Sequence, residues 1–368
     1  MHLYLHVPYC AAKCPYCDFN SIAGRDAEHT DYVTALITEL RRLPRGPYST
    51  IFIGGGTPTM LSPALLARLC SAVRDHVLLT VDYEWTCEAN PGSADAERFR
   101  VLAEHGVNRL SLGIQSTHDH HLKFLGRVHD HRQAEAALDL ACRIVPRVSA
   151  DLIMGLPNQT AAELEADLAL YRRHDLSHAS VYHLTYEPGT EFHAKRSRGE
   201  LADINSDESR ERFLQVWEGL EALGLELYET SNFSRKGAES RHNLAYWTQR
   251  DYQAAGAGAV STVSRVRVTR LKHSGQYIQG IQAGGAAIAK TERLTDGEYL
   301  RETWMLGLRL AEGVNTTTLE QLGDRSSRWR IRADALIGAG ILWEKEGRLG
   351  LTKTGRPVQD EATIYLLP

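Results

Sequence analysis

Three of the six cysteines in this 368-residue chain lie in one short segment, CAAKCPYC, which begins at Cys10. Cys10, Cys14 and Cys17 have the spacing C-x3-C-x2-C. Thiolates are the ligands that zinc, Cu(I) and iron–sulfur clusters prefer. A structural zinc site is usually closed by four protein ligands, whereas three cysteines on a four-iron cluster leave one iron open to another ligand. The spacing therefore favours an open iron–sulfur cluster; a zinc site completed by His6 and a metal-free segment are the alternatives.

The composition is that of a soluble globular protein. Apolar residues make up 43% of the chain and charged residues 24%, with a formal net charge of −4. This balance does not favour a protein that coats nucleic acid, so we expect no nucleic-acid partner. There is no apolar run of the roughly 18 residues that a membrane span needs and no signal-peptide pattern. We therefore expect a cytoplasmic protein that is not an integral membrane protein, with Cys70, Cys87 and Cys142 as structural thiols.

Strand-like and helix-like segments alternate through the first two thirds of the chain. Strands are predicted over 3–7, 50–55, 83–90, 109–115, 149–157 and 179–187, with a seventh candidate over 225–233. Apolar residues at three-to-four spacing predict helices over 32–43, 63–73, 94–106, 132–145, 161–174 and 209–224. Such βα units in series predict an α/β fold with a parallel sheet. We expect a partial (β/α)6 barrel of TIM type, with an open doubly wound sheet as the alternative.

The last part of the chain has a different pattern. Helical segments, including one over 331–342, precede two short strands around Glu346-Gly347, which indicate a hairpin. Helices followed by a hairpin are typical of a winged-helix-like module. The expected organisation is a core barrel over 1–235, a connecting segment over 236–290 and a small C-terminal helical module over 291–368.

Unusual residues follow the predicted strands. The run GGGTP from Gly54 to Pro58 follows the second strand, Glu88 closes the third and Gln115 closes the fourth. In a parallel barrel these carboxyl ends meet on one face, where the chemistry takes place. Glycine and proline also mark ordinary turns, but polar residues at consecutive strand ends predict a shared site.

Together these motifs resemble the radical S-adenosylmethionine (SAM) superfamily. A closer likeness is carried by the segments YLHVPYCAAKCPYCDF, IFIGGGTPTML, CEANPGS, RLSLGIQS, DLIMGLPNQT, YHLTYEPGT and HNLAYW. They are similar to the family of oxygen-independent coproporphyrinogen III dehydrogenase and the HemW heme chaperones. The likeness covers nearly the whole chain. It implies a part-open barrel in which Cys10, Cys14 and Cys17 hold a [4Fe-4S] cluster while SAM chelates the fourth iron.

The resemblance also implies a set of residues that contact SAM. They lie on the first strand, in the glycine turn and at later strand ends: Tyr4, Gly55, Gly56, Thr57, Glu88, Gln115, Arg127 and Asp151. Each has an ordinary alternative. Tyr4 suits a barrel interior, the glycines suit a tight turn, and Arg127 and Asp151 suit an ion pair with each other.

The segment HNLAYW, residues 242–247, resembles a motif associated with the heme chaperones. The likeness implies that His242 contacts heme, a third cofactor; the alternative is a ring that hydrogen-bonds within the fold. The nearby GAGAVST departs from the family, because Val260 stands where the chaperones usually have histidine. The histidines of HDHH (118–121) and HDH (129–131) are predicted to be solvated imidazoles rather than metal ligands.

One position separates the two activities of the family. The dehydrogenases carry a fourth cysteine two residues after the third, where this chain has Phe19, and their cluster motif lies further along the chain. Both departures favour a heme chaperone that delivers heme to acceptor proteins such as membrane-bound respiratory enzymes. Oxidative decarboxylation of coproporphyrinogen III is the alternative function, and a zinc-stabilised scaffold is a third hypothesis.

Overall fold

The computed structural model describes residues 1–202, 205–322 and 327–367. Within these ranges no helix is both long enough and apolar enough to cross a membrane. The strands, in chain order, are β1 His2–Val7, β2 Tyr9–Cys10, β3 Ile22–Ala23, β4 Tyr48–Gly55, β5 Leu79–Ala89, β6 Arg109–Gln115, β7 Arg147–Met154, β8 His178–His183, β9 Glu226–Glu229, β10 Asn232–Ser234, β11 Tyr252–Ala255, β12 Val260–Val263, β13 Val266–Arg270, β14 Ile288–Arg293, β15 Val314–Asn315, β16 Leu342–Lys345 and β17 Arg348–Leu351. The helices are α1 His29–Leu40, α2 Pro63–His76, α3 Ala96–Glu104, α4 Asp119–Phe124, α5 His131–Ile144, α6 Ala161–Arg173, α7 Glu191–Ser197, α8 Ser206–Glu221, α9 Arg241–Trp247, α10 Ser274–Gln282, α11 Asp296–Gly307, α12 Thr316–Gln321, α13 Ser327–Gly338 and α14 Gln359–Leu366.

Six parallel strands form the centre of the main sheet. Strands β1, β4, β5, β6, β7 and β8 lie side by side in chain order. A doubly wound sheet has a switch point where the strand order reverses, and this series has none among the described strands. The predicted part-open (β/α)6 arrangement is therefore confirmed, and the doubly wound alternative is wrong.

Both edges of the parallel series are extended. The predicted strand over 225–233 is wrong as one element, because a turn at residues 230–231 divides it into β9 and β10, an antiparallel pair beside β8. At the other edge, β11 pairs with β1 in parallel, and β12, β13 and β14 continue antiparallel. Part of the segment expected only as a connection thus joins the main sheet, while the division at residues 235 and 290 stays a prediction.

Alternation along the strands separates the core from the site. In β6, Leu110, Leu112 and Ile114 are buried in the hydrophobic core. The residues between them point to the other face of the strand, where Ser111, Gly113 and Gln115 line the main cavity. The apolar half of each strand therefore anchors it to the surrounding helices and leaves the other half free for polar chemistry.

Helix α6 begins with a capping box immediately after a strand-end loop. The Thr160 hydroxyl accepts a hydrogen bond from the backbone N–H of Glu163, and the Glu163 carboxylate accepts one from the backbone N–H of Thr160. Such reciprocal bonds satisfy two of the unpaired N–H groups at a helix start. At the end of α3, Gly106 has a φ of 102°, a positive value of the kind with which glycine commonly ends a helix.

The C-terminal residues form a small module with a core of its own. Trp304, Leu319 and Leu349 are among its fully buried side chains. Its three-stranded sheet has the order β15-β17-β16. Glu346 and Gly347, which join β16 to β17, both have positive φ, 52° and 71°, as a tight hairpin turn requires. The predicted combination of helices and a hairpin is confirmed.

Candidate functional site

A cavity of about 320 Å³ opens at the carboxyl ends of the parallel strands. Cys10, Cys14 and Cys17 line it, and all three are half-buried free thiols. The backbone N–H of Cys17 donates to the carbonyl of Cys14 at 3.1 Å, so the segment turns back on itself. The three cysteines predicted as ligands therefore lie around one cavity, as a shared metal cluster requires.

Hydroxyl groups accompany two of the three sulfurs. Oγ1 of Thr57 lies 3.6 Å from Sγ of Cys10, and Oγ of Ser21 lies 3.9 Å from Sγ of Cys17. Burial raises the pKa of the Cys10 thiol, and the hydrogen bond from Thr57 acts in the opposite direction. A metal takes cysteine as thiolate, and hydrogen bonds to sulfur tune iron–sulfur clusters. This donor set fits a cluster at the predicted position.

Arg127 provides a cationic donor to the third sulfur. Its Nη1 donates to Sγ of Cys14 at 3.6 Å, and its Nη2 donates to the carbonyl of Gly113 at 2.8 Å. Its Nε is buried and has no hydrogen-bond partner among the residues that the structure describes. An ion pair with Asp151, the sequence-based alternative, is not found in that part of the chain; Ser111 donates to Asp151 instead.

The glycine turn after β4 holds the cysteine loop. The N–H of Gly56 donates to the carbonyl of Val7 at 2.8 Å. A side chain at Gly56 would begin 2.7 Å from the carbonyl oxygens of Pro8 and Tyr9, which is too close for any Cβ. Gly55 has a φ of 114°, a conformation that other residues rarely adopt. Both glycines are thus needed for the turn to approach the loop that carries Cys10.

Glu88 reaches into the cavity from β5. Its Oε2 accepts a hydrogen bond from the N–H of Gly55 at 2.9 Å, and the missing side chain of Gly54 leaves room for it, because a Cβ there would lie 2.6 Å from the same oxygen. Burial raises the pKa of Glu88 to about 7, against the hydrogen bond from Gly55, and the charge of Asp151 raises it further. Glu88 can therefore exist in either protonation state near neutral pH.

Asp151 is a second carboxyl on the same cavity. Burial raises its pKa to about 6, although the hydroxyl of Ser111 donates to both of its oxygens, at 2.9 and 3.0 Å. When Glu88 and Asp151 are both ionised, their negative charges repel each other. A cationic ligand in the cavity relieves that repulsion, and the ammonium and sulfonium groups of SAM are cationic.

Gln115 ends β6 in a strained conformation. Its φ is 70°, and the register with β7 shifts between Gly113 and Gln115. A positive φ at a residue other than glycine is uncommon. The bulge directs Gln115 toward the cavity, as expected from its place at a strand end.

Beside the main cavity lies a second one of about 310 Å³. Three residues line both cavities: Gly55, Glu88 and Phe19. The remaining walls of the second cavity include three tyrosines, Tyr4, Tyr246 and Tyr252. The predicted contact of Tyr4 with SAM stays a prediction, because Tyr4 faces the second cavity and not the one that holds the cysteines.

The hydroxyl of Tyr4 is 2.9 Å from Nδ1 of His6, whose Nε2 lies 2.8 Å from the carbonyl oxygen of Asn20. Both ring nitrogens of His6 are therefore occupied. Burial lowers the pKa of His6, which keeps the ring neutral. This arrangement does not support His6 as the fourth ligand of a zinc site, the alternative that the cysteine spacing left open.

Phe19 stands at the junction of the two cavities. Its side chain is 63% exposed, and Nζ of Lys13 donates to its backbone carbonyl at 2.6 Å. The hydrogen bond fixes the backbone at Phe19, and its solvent-exposed apolar ring is available for contact with a flat apolar ligand. Phe19 lies two residues after Cys17, at the position where the dehydrogenases of the family carry a fourth cysteine.

His242 lies inside the protein. It is fully buried; Nδ1 is 2.7 Å from Oγ1 of Thr50, and Nε2 is 2.8 Å from the hydroxyl of Tyr246. Burial lowers the pKa of His242 to about 3. With both ring nitrogens occupied, the geometry favours the second of the two sequence-based readings, a ring that hydrogen-bonds within the fold. From this segment Tyr246, not His242, reaches a cavity.

The prediction of solvated imidazoles in the two histidine-rich segments is wrong for two residues, His121 and His129. His121 is 2% exposed and His129 is 4% exposed. Nε2 of His129 is 3.2 Å from the carbonyl of Ile114, so this ring fastens the loop after α4 to the end of β6. Sequence reasoning failed here because these residues lie on the protein-facing side of a short helix and its following loop.

Tyr16, Ser111 and Tyr182 are among the residues that line the cavity but were missed from the sequence. Tyr16 lies between two of the cysteines, and Ser111 occupies the same face of its strand as Gln115, so period-two alternation could have identified it. Tyr182 carries no comparable signal, because its exposure depends on where β8 ends.

Comparisons with known proteins agree with this arrangement. The radical SAM superfamily profile matches residues 4–171, and that of the HemN C-terminal domain matches residues 294–358. The solved structure of coproporphyrinogen III oxidase HemN from Escherichia coli matches with a TM-score of 0.84 over 99% of this chain and 89% of that chain. At 23% sequence identity, this likeness establishes a shared fold.

Curated relatives match over most of their length. The heme chaperone HemW of Bacillus subtilis is 34% identical over 97% of both chains, and that of Escherichia coli is 39% identical over 76% of both. A mitochondrial radical SAM domain-containing protein 1 of mouse is 34% identical over 100% of this chain and 87% of its own. The fold and the three-cysteine cavity are those of a radical SAM protein. Within that superfamily, the chain belongs to the HemW family.

Proposed function

We propose that this protein is a heme chaperone that binds a [4Fe-4S] cluster and SAM and delivers heme to acceptor proteins. The observation that supports this most strongly is the full-length likeness to HemW heme chaperones combined with Phe19 at the mouth of the cysteine cavity. Phenylalanine neither binds metal nor donates a hydrogen bond. A reaction that depends on a fourth thiol at this position is therefore not available to the chain.

The cysteine loop would hold the cluster through Cys10, Cys14 and Cys17. When bound, the cluster supplies an electron and an open iron position for SAM. Arg127 and Thr57, which lie 3.6 Å from two of the sulfurs, stabilise negative charge on the thiolates. The protein's contribution is thus to fix the loop and to donate hydrogen bonds to sulfur.

The remaining cavity residues would orient SAM. Glu88 and Asp151 form a negative wall for its cationic groups, and the backbone of the glycine turn approaches the ligand without an intervening Cβ. Gln115 adds a neutral amide at the end of β6. These residues bind and position SAM, and nothing in their arrangement requires that SAM be consumed during heme delivery.

Heme would contact the aromatic side of the site. Phe19 and Tyr246 present ring faces or edges to the two cavities, and a porphyrin is a flat apolar ligand that packs well against aromatic rings. Direct ligation of heme iron by His242 requires Nε2 to leave the hydroxyl of Tyr246, which now lies 2.8 Å away. We therefore place the first contact with heme at the aromatic residues.

The acceptor and the compartment extend this proposal. We propose delivery in the cytoplasm to heme-accepting proteins such as membrane-bound respiratory enzymes. Anaerobic pull-down of heme-loaded protein from membrane extracts, with heme absorbance followed in both fractions, tests the acceptor class. Transfer to an unrelated apo-hemoprotein at the same rate would contradict delivery to a specific acceptor.

The central experiment separates chaperone from enzyme. The protein is reconstituted anaerobically with iron and sulfide and is given coproporphyrinogen III, SAM and reductant in one arm and heme in the other. We expect stable heme binding and transfer without formation of protoporphyrinogen IX. Efficient formation of protoporphyrinogen IX would overturn the proposal, and zinc in place of iron and labile sulfide would favour the scaffold hypothesis.

A further inference from the structure

A cluster of metal-binding side chains lies away from the cysteine cavity, between α4 and α6. His120 and His121 are adjacent on α4, and Glu163 is in the first turn of α6. Nε2 of His120 is 3.1 Å from Oε1 of Glu163, and Nε2 of His121 is 3.7 Å from Oε2. The ligand atoms of the three residues all lie within 4.8 Å of one another.

His121 has an unused nitrogen in a buried position. The residue is only 2% exposed, and within the described part of the chain its Nε2 has no hydrogen-bond partner. A buried polar atom without a partner costs free energy, so a ligand that completes the site at this nitrogen is favourable. This nitrogen is directed at Glu163, the carboxylate that also faces His120.

Glu163 is held in position before any ligand arrives. Its Oε2 accepts hydrogen bonds from the backbone N–H and the hydroxyl of Thr160, both at 2.8 Å. These bonds fix the orientation of the carboxylate at the start of α6. Because Thr160 uses Oε2, the second oxygen, Oε1, is left to face His120.

We propose that His120, His121 and Glu163 bind one divalent transition-metal ion of the Zn²⁺ type. Imidazole nitrogen and carboxylate oxygen bind zinc at about 2.0–2.2 Å, which places neighbouring ligand atoms of a tetrahedral site about 3.3 Å apart. The separation of 3.1 Å between Nε2 of His120 and Oε1 of Glu163 is close to this value, and the ligand atoms of all three residues lie within 4.8 Å of one another. The fourth position is left to water, because His120 is 62% exposed in its side chain.

Such an ion would connect two helices whose neighbouring segments contribute residues to the cysteine cavity. Helix α4 leads directly to Gly126 and to Arg127, which donates to the sulfur of Cys14. Helix α6 follows the loop at the end of β7, the strand that carries Asp151. The ion would therefore fasten the segment that positions Arg127. An ion pair between a protonated His120 and Glu163 is the competing explanation of the same distances.

Zinc titration of the cluster-loaded protein tests this site. The protein is first reconstituted anaerobically, so that the cluster occupies the three cysteines and keeps them from binding the added metal. Isothermal titration with ZnCl₂ then gives the affinity and stoichiometry for the wild type, H120A and E163Q. His131, a half-buried histidine of the same region that pairs with Asp119, supplies the matched control H131Q. Iron content and the visible spectrum are measured for each variant.

We expect one Zn²⁺ per chain in the wild type and in H131Q. H120A and E163Q should each lower the affinity at least tenfold, since even the outer partners of metal ligands are worth roughly 10–100-fold. H120A removes an exposed side chain, so its folding and cluster content should be unchanged. The proposal would be overturned if the wild type bound no zinc or if H120A and E163Q both bound zinc as tightly as the wild type. It would also be overturned if H131Q weakened zinc binding as much as they do.

Discussion

Replacing Glu88 by glutamine should stabilise the protein while weakening SAM binding. Glutamine keeps the shape of the side chain and an oxygen that can accept the hydrogen bond from Gly55, now at 2.9 Å, but it carries no charge. The effects on folding stability and on SAM affinity have opposite signs. The ionised carboxylate destabilises the folded protein, whereas it attracts a cationic ligand. Substitution of a residue that only supports the fold would not raise the stability while lowering the SAM affinity.

The stability effect follows from the raised pKa of Glu88. A carboxyl that titrates near 7 in the folded protein and near 4.5 in the unfolded chain is harder to ionise when folded. The wild type therefore loses stability as pH rises from about 4.5 to about 7, and the loss is complete above that range. A shift of this size corresponds to at most about 3 kcal/mol, and relaxation around the cavity reduces it to about 1–3 kcal/mol.

Thermal unfolding of the reconstituted protein measures this difference. At pH 8, E88Q should melt about 1–4 °C above the wild type, at about 1.3 °C per kcal/mol for a chain of this size. Near pH 4.5 the two proteins should converge, because Glu88 is then largely protonated in the wild type. The matched control is E97Q, which changes an exposed glutamate in α3. In E97Q the difference between the melting temperatures at pH 8 and pH 4.5 should be the same as in the wild type.

SAM affinity provides the second half of the test. A charge-assisted hydrogen bond is worth about 1.5–3 kcal/mol, so E88Q should weaken SAM binding about tenfold or more at pH 8. If the ionised carboxylate binds SAM, wild-type affinity should fall about tenfold between pH 8 and pH 6, and E88Q should lack this dependence. Equal affinity and equal pH dependence in the two proteins would refute the assigned role of Glu88.

Two further predictions concern the cluster and the heme. C14S should abolish the visible absorbance of the cluster, because a hydroxyl is a poor replacement for thiolate and Arg127 loses its partner; an unchanged spectrum would contradict the ligand assignment. H242A should lower the thermal midpoint, since it breaks contacts at 2.7 and 2.8 Å to Thr50 and Tyr246, while the Soret maximum of bound heme should match that of the wild type. A shifted Soret maximum in H242A, but not in Y246F, would instead assign axial ligation to His242.

The sequence predicts the parallel part of the fold well because its signals are local. Each strand of the series is an apolar run closed by glycine, proline or a polar residue, and the segment 109–115 has the same bounds as β6. The edges of the sheet carry weaker signals. The run 225–233 contains enough strand-forming residues for one strand, yet the turn at residues 230–231 creates two, because pairing with β8 and not propensity determines the outcome.

Site residues were predictable from the sequence where the chemistry requires a particular residue type. They were less predictable where the packing of the fold determines what a side chain contacts. Cysteine spacing and the glycine turn identified the cavity, because thiolates and absent Cβ atoms have few substitutes. His242 and His121 show the limit. A histidine can bind a metal, bind heme or hydrogen-bond inside a core, and only the neighbours of its two nitrogens distinguish these cases. Those neighbours, such as Thr50, are distant in sequence.

The treatment of buried carboxylates elsewhere in the protein identifies Glu88 as a ligand-binding group. Glu39 is paired with Arg270 at 3.0 Å, and Glu84 lies 3.6 Å from Arg109, so these buried charges are compensated within the fold. In the described ranges Glu88 has no such basic partner, and its pKa is raised accordingly. A fold that pairs Glu39 and Glu84 with arginines but leaves Glu88 and Asp151 beside three thiols without an ion pair among the described residues gives up stability at the point where a cationic ligand can restore it.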